Sequence, residues 1–276
     1  MIKIMVDSAS DCRQEDGVFD VRIPLTVSIG EKDYLDGVDL SADEFYKLLT
    51  TSREFPKTSQ PSPEAFAEAF AQIKADGDEV ICFTLSSALS GTYQSAVIAK
   101  SMVEYDGIYI IDTRMVTHLI GILVKYASDL IKEGLPVSQI VEKCEDLKTR
   151  IKVLAGVDTL EYLYKGGRLN RATAAVGEIA GIKPIVTLSE EGTVNAGSKA
   201  IGAPRAMQSI LTKLKSFDLD GNFPLYTIYT YGTENPEAFE KKLAAAGYES
   251  KGRLQVGPTI GAHVGPGVYG VLFVVK

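Results

Sequence analysis

The 276-residue chain has no tryptophan, three cysteines and two histidines, and each shortage excludes something. Cys12, Cys82 and Cys144 are odd in number and widely spaced, which supports neither a disulfide framework nor a cysteine zinc site. His118 and His263 are too few for a histidine-rich metal centre. The longest apolar stretch, Val268–Val275, falls far short of the ~20 residues that a membrane helix needs. The opening segment Met1–Asp7 has neither a long apolar region nor a small-residue cleavage site, so no secretion signal is expected. Lys and Arg number 29 against 36 Asp and Glu, a net charge of −7. That balance argues against nucleic acid as a partner, because phosphate binding draws on clustered cations. No G-x-x-x-x-G-K-[ST] loop is present, so a Walker-type nucleotide site is absent. The expectation is a cytoplasmic protein without cofactor or metal, touching membranes at most transiently.

What is present is ordinary globular material, 45% hydrophobic and 24% charged, long enough for about two domains. The first half alternates in type. Ile2–Val6, Val21–Ile29, Val80–Leu85 and Ile108–Ile111 read as strands. Ser41 and Glu44 form a capping box before an apolar-periodic helix, and Ser62-Pro63-Glu64 starts a second helix with proline at its first position. Helices are also expected from about Thr92 to Val103, up to Leu130, and over Val137–Lys148. This order predicts a parallel, doubly wound α/β/α domain over 1–150, with ligands at the carboxyl ends of its strands, where Asp7, Ser86–Gly91 and Asp112 fall.

From about residue 151 the rhythm changes. Val153–Val157 and Tyr226–Tyr231 read as strands, Ile185–Leu188 turns back through Glu190–Thr193 as a hairpin, and helices are expected at 172–180, 204–214 and 236–246. The expectation for 151–276 is an α+β domain with a mixed sheet.

Two hydroxyl-rich clusters precede helices: Lys57–Pro63 and Leu85–Thr92. Each can be a helix cap, and each can hold an anion on helix-start amides and hydroxyls, with Gly91 permitting close backbone approach. His263 stands in Gly261-Ala262-His263-Val264-Gly265, where it can hydrogen-bond a ligand, transfer a proton or satisfy a turn. His118 reads as structural. The match of Gly265–Gly270 to G-x-G-x-x-G is rejected, because no strand-turn-helix context surrounds it. Asp7 and Asp11 lack phosphotransferase D-x-D spacing, and Asp36, Gly37 and Asp39 lack the closing glutamate of a calcium loop. A Ser/His lipid-ester hydrolase built from Ser90, His263 and Asp112 is the alternative function, although no G-x-S-x-G elbow exists. Lys165, Arg168 and Arg171 surround Gly166-Gly167 and suit either a solvated loop or contact with a phosphate or acidic partner.

Six segments, in order along the chain, resemble the DegV family of bacterial fatty-acid-binding proteins. They are Asp7–Asp11, Thr58–Ser62, Leu85–Ala96, Asp112-Thr113, Leu160–Arg168 and Gly261–Gly270. The resemblance implies two domains with one long-chain fatty acid between them, its tail in a buried tunnel. It further implies that Thr58, Ser59, Ser90, Gly91 and His263 hold the carboxylate, and that Arg168, with Arg171, contacts a partner or phosphate. It also implies a non-catalytic binding subunit, the role of family members similar to this chain. A separate ATP-binding kinase subunit resembling dihydroxyacetone kinase phosphorylates the presented carboxylate to an acyl phosphate for phospholipid synthesis.

Overall fold

The computed structural model describes residues 1–52, 54–169 and 181–276. The first half runs β1 (Ile2–Asp7), β2 (Val21–Ile23), β3 (Thr26–Ile29), β4 (Lys32–Leu35), α1 (Ala42–Thr51), β5 (Lys57–Ser59), α2 (Pro63–Asp76), β6 (Glu79–Thr84), α3 (Thr92–Val103), β7 (Ile108–Asp112), α4 (His118–Lys132) and α5 (Val137–Lys148). Four of these strands form a parallel sheet in the order β2-β1-β6-β7. Their side chains alternate between faces, as strand geometry requires. Met5, Val80, Cys82 and Ile108 pack under α2 and α3 with Phe66, Phe70 and Ala96. Ile4, Val6, Ile81 and Phe83 pack under α4 and α5 with Leu123, Ile140 and Leu147. Helices therefore cover both faces, as doubly wound order predicts. The helix starts are also as expected: Ser41 Oγ accepts from Glu44 N while the Glu44 carboxylate accepts from Ser41 N, and Ser62 caps α2 through Ala65 N.

The expected single strand Val21–Ile29 is instead two. Pro24 has no N–H to donate, so the chain leaves the parallel sheet there and re-enters order as β3. β3 is the centre of a separate antiparallel sheet, β4-β3-β5, in which Val27 pairs with Thr58. This small sheet carries Thr58 to the carboxyl edge of the parallel one.

The second half runs β8 (Ile151–Gly156), α6 (Glu161–Lys165), β9 (Ile182–Leu188), β10 (Val194–Ile201), α7 (Ala203–Leu214), β11 (Tyr226–Tyr229), α8 (Glu234–Ala245), β12 (Arg253–Gln255), α9 (Pro258–Val264) and β13 (Tyr269–Val274). Its sheet order is β10-β9-β8-β13-β11-β12, with only β11 and β12 parallel. The β9–β10 hairpin turns where expected, closed by Ser189 Oγ on Thr193 Oγ1 at 2.9 Å. The helix expected at 172–180 lies outside the described residues. The glycine-flanked His263 is not in a turn; it occupies the last turn of α9, which Pro258 opens at the first helical position. One apolar cluster, from Ile4 through Leu123 to Val153 and Leu272, joins the four-stranded and six-stranded sheets.

Candidate functional site

In the parallel sheet the chain moves from β1 to β2 on one side and returns to β6 on the other. The crevice beyond β1 and β6 is therefore the topological switch point, where such sheets bind ligands. Asp7 ends β1 there, fully buried, its Oδ2 accepting from Leu85 N at 2.6 Å. Above lies a cavity of about 60 Å³, with apolar walls that include Leu25, Leu85, Val116, Leu163 and Val194. Its polar lining is Thr58, Ser90, Arg168, Thr259 and His263.

Strand alternation turns Thr58 inward, half-buried, and leaves Ser59 exposed on the far side of β5, outside the cavity lining. Thr58 Oγ1 lies 2.8 Å from His263 Nε2. Burial and the nearby Arg168 guanidinium push the His263 pKa down to about 4, so the ring is neutral at pH 7. Its Nδ1 is buried and has no hydrogen-bond partner among the described residues. A neutral ring carries one proton. Placing it on Nδ1 would strand a buried donor, which is costlier than an unused acceptor. The proton therefore belongs on Nε2, which donates to Thr58 Oγ1 and frees the threonine O–H to donate into the cavity. Gly166 makes this ring position possible: a Cβ there would lie 2.2 Å from His263 Nδ1.

Ser90 sits between β6 and α3, its Oγ 2.9 Å from Thr92 Oγ1. Gly91 precedes α3 and backs the site without lining it. A Cβ on Gly91 would lie 2.1 Å from Gln60 Oε1, and Gln60 Nε2 donates to Ser95 Oγ at 3.1 Å. The two hydroxyl clusters are thus stitched together by Gln60 across a glycine. Arg168 is not on a solvated loop: its Nε donates to Leu89 O at 3.0 Å and its Nη1 to Gly166 O, holding the segment after α6 against the Ser90 loop. Arg171 lies outside the described residues. Lys165 stays at the surface, paired with Glu161 at 3.0 Å and set over the Phe55 ring.

The Ser90–His263–Asp112 arrangement of a hydrolase is not assembled. Asp112 accepts from Ser87 N at 3.0 Å and from Ser87 Oγ at 2.5 Å, whereas a triad needs its carboxylate on the histidine Nδ1. His263 Nδ1 faces Gly166 instead, and no hydrogen bond joins Ser90 to His263 among the described residues. His118 is structural, with Nε2 2.8 Å from Gln255 O. Among the described residues no group of three side chains could hold a metal ion, and no helix is long and apolar enough to cross a membrane. Sequence reasoning missed Thr259 and the apolar Leu25, Val116 and Val194. The only signal for Thr259 was its place just after Pro258 in a helix start.

Fold and site together define an α/β protein of three sheets with a largely apolar cavity that is also lined by hydroxyl, imidazole and guanidinium groups. The family model described as "Uncharacterised protein, DegV family" matches residues 1–276. The chain belongs to the DegV family. It is 38% identical over 280 residues to a DegV domain-containing protein of Caldanaerobacter subterraneus subsp. tengcongensis, covering 99% of this chain and 98% of that one. Among solved structures it is similar to a fatty-acid-binding DegV family protein from Thermus thermophilus, with TM-score 0.88, 29% identity and coverage of 100% and 99%. It is equally similar to a stearic acid-binding protein from Eubacterium ventriosum, also with TM-score 0.88, 29% identity and coverage of 100% and 99%.

Proposed function

We propose that the protein binds a long-chain fatty acid between residues 1–150 and 151–276 and presents its carboxylate to a separate kinase subunit. The observation that carries this reading is the Thr58–His263 pair beside Ser90 and Arg168, at the polar end of an otherwise apolar cavity. A carboxylate removed from water needs donors, and the cavity's hydroxyls would supply them. Burying each methylene contributes roughly 0.8 kcal/mol, so a ~16-carbon tail offers on the order of 10 kcal/mol before ordering costs. An apolar cavity of about 150 Å³ takes benzene, and this one measures about 60 Å³. A long tail therefore enters by parting the Leu85, Val116, Leu163 and Val194 side chains. The fatty-acid ligands of the similar Thermus and Eubacterium proteins favour the same reading.

The sequence has no Walker-type loop, and in this reading ATP is bound by the partner, an ATP-binding subunit resembling dihydroxyacetone kinase. That subunit's nucleotide and metal would supply the electrostatic stabilisation that phosphoryl transfer demands, and this chain would supply position. Arg168 is the residue for the incoming phosphate or the partner, the Thr58 and Ser90 hydroxyls hold the headgroup, and Gly91 backs them from outside the cavity lining. Mixing the chain, palmitate, ATP and such a subunit should yield acyl phosphate at a rate that requires all four. An equal rate without this chain contradicts the reading. A serine-directed fluorophosphonate should leave Ser90 unlabelled, and stoichiometric labelling would favour the hydrolase.

A further inference from the structure

The cavity of about 60 Å³ must widen to take a long tail, and its walls are not equally fixed. Leu25, Leu85 and Leu163 are buried in the apolar cluster, whereas Val194 is only half-buried and reaches the cavity from a hairpin. β8 pairs with β9 at Ile185 and Val186 and, among the described residues, no further towards the turn. Beyond that point Thr187 and Leu188 pair with Asn195 and Val194 across the hairpin, so the tip projects from the sheet as a two-stranded ribbon. Such a ribbon is marginal by itself and has to be held from outside. The ladder also shifts between Asn195 and Ser198, where two residues, Ala196 and Gly197, are set against one, Val186. A bulge of this kind breaks the pairing at the base of the tip.

The tip rests on space and not on packed side chains. Val194 and Leu188 are direct cross-strand partners, and each borders a cavity. Val194 lines the one with Thr58 and His263; Leu188 lines a second, of about 280 Å³, with Met115, Leu119 and Val153. What holds the tip is the turn after β6. Gly192 is buried between the exposed Glu191 and Thr193, and the fully buried Ser86 Oγ donates to its carbonyl at 2.9 Å. Glycine is required there: φ is +82°, and a Cβ would lie 2.2 Å from Ser86 Oγ and 2.9 Å from Arg114 Cα. Arg114 Nη1 adds a long contact to Glu190 O at 3.5 Å. Ser86 is itself fixed, its N donating to Met115 O at 2.8 Å and its O accepting from Leu89 N at 3.0 Å and Ser90 N at 3.1 Å. The turn that carries Ser90 is therefore also the turn that fastens the hairpin.

We propose that the tip of the β9–β10 hairpin, residues 187–195, is a flap over the fatty-acid tail, hinged at the Ala196–Gly197 bulge and latched by Ser86 on Gly192 O. The inference rests on the fatty-acid reading above. Opening breaks the latch and carries Val194 away from the cavity, which exposes its apolar walls to an entering tail. Reclosing covers the tail and remakes the bond. Because the latch is made with and without ligand, it slows entry and exit alike and leaves affinity nearly unchanged.

The test is stopped-flow binding of cis-parinaric acid, a fluorescent polyene fatty acid, with release read by displacement with excess palmitate. Ser86→Ala should speed association and dissociation together by about three- to tenfold, the worth of one neutral hydrogen bond, and leave Kd within about twofold. Hydrogen exchange read by mass spectrometry should be faster over residues 187–195 in Ser86→Ala by a similar factor. In wild type it should slow over the same residues once palmitate is bound, while β13 is unmoved by either change. A Ser86 that only supports the fold would speed dissociation alone or change neither rate, and either result overturns the proposal. So does a wild-type tip that exchanges as slowly as β13 with and without palmitate, a measurement that needs no variant. If wild type binds neither parinarate nor palmitate, the fatty-acid reading falls instead, and exchange at the tip in Ser86→Ala against wild type then decides the flap alone.

Discussion

Thr58 and His263 stand 205 positions apart in the chain and meet at 2.8 Å through Oγ1 and Nε2. One comes from a three-residue strand of the first half and the other from a seven-residue helix near the end of the second. A ligand bonded to this pair touches both halves at once. Because the imidazole is neutral and donates through Nε2, the threonine hydroxyl keeps its proton for the ligand.

Replacing Thr58→Ala together with Ser90→Ala removes the hydroxyl donors. Each lost bond to a charged group is worth roughly 1.5–3 kcal/mol, so palmitate affinity should fall at least ~10-fold. The melting temperature should change little, since both side chains sit at the cavity and not in the apolar cluster. Calorimetry with thermal unfolding checks both, and unchanged affinity contradicts the assignment.

The adjacent glycines separate binding from stability. Gly166 has φ −73°, which alanine adopts freely, but its Cβ would displace His263. Gly166→Ala should therefore weaken palmitate binding with a small stability cost. Gly167 has φ +75° and open space around it. Gly167→Ala should cost roughly 1–2 kcal/mol of backbone strain and spare the His263 contact. Titration and urea unfolding of the two variants check this, and a Gly166→Ala variant that binds palmitate as tightly as wild type would make Gly166 only a loop residue.

Burial pushes the His118 pKa down to about 4. The unfolded chain, titrating near ~6.5, then binds the extra proton between pH 4 and 6.5, so this group's contribution to stability is lost as pH falls through that window. His118→Gln should therefore show a stability difference from wild type that changes by up to about 3 kcal/mol from pH 7 to pH 4, in favour of the variant at low pH. Denaturant unfolding at both pH values measures it, and a constant difference counts against a buried neutral ring.

Val194 lines the cavity from the β9–β10 hairpin. Val194→Phe fills space that the tail needs. Its expected effect is weaker palmitate binding, with overpacking of about 1–3 kcal/mol felt in the unliganded chain as well. Equal palmitate affinity in both proteins would place the tail elsewhere.

Much of the first half was legible because its signals are local. The Ser41–Glu44 capping box, Pro63 at a helix start and the short apolar runs of β1 and β6 each need only a few neighbouring residues. The split at Pro24 was missed because the run from Val21 to Ile29 is apolar on both sides of a proline that still allows extended backbone. Without that split the β3–β5 pairing, and hence the inward face of Thr58, could not be seen. The hydroxyls of Thr58 and Ser90 were visible as types in a loop, but Ser59 and Thr58 are told apart only by strand alternation. Helix α9 was hidden by its glycines, which read as turn signals yet serve close packing against Asp11, Tyr46 and Phe45. Arg168 looked solvent-facing until its backbone partners at Leu89 and Gly166 were placed. Asp36 and Asp11 accept from Thr259 and Gly257 at the start of α9 across 223 and 246 positions, beyond any local pattern.

Native mass spectrometry of the purified protein tests the central claim most directly. The account predicts a bound species heavier than the bare chain by one long-chain fatty acid, formed from carried-over lipid or on adding palmitate, and diminished in the Thr58→Ala, Ser90→Ala variant. A chain that stays at its own mass, and that takes up neither palmitate nor oleate when they are supplied, would contradict it.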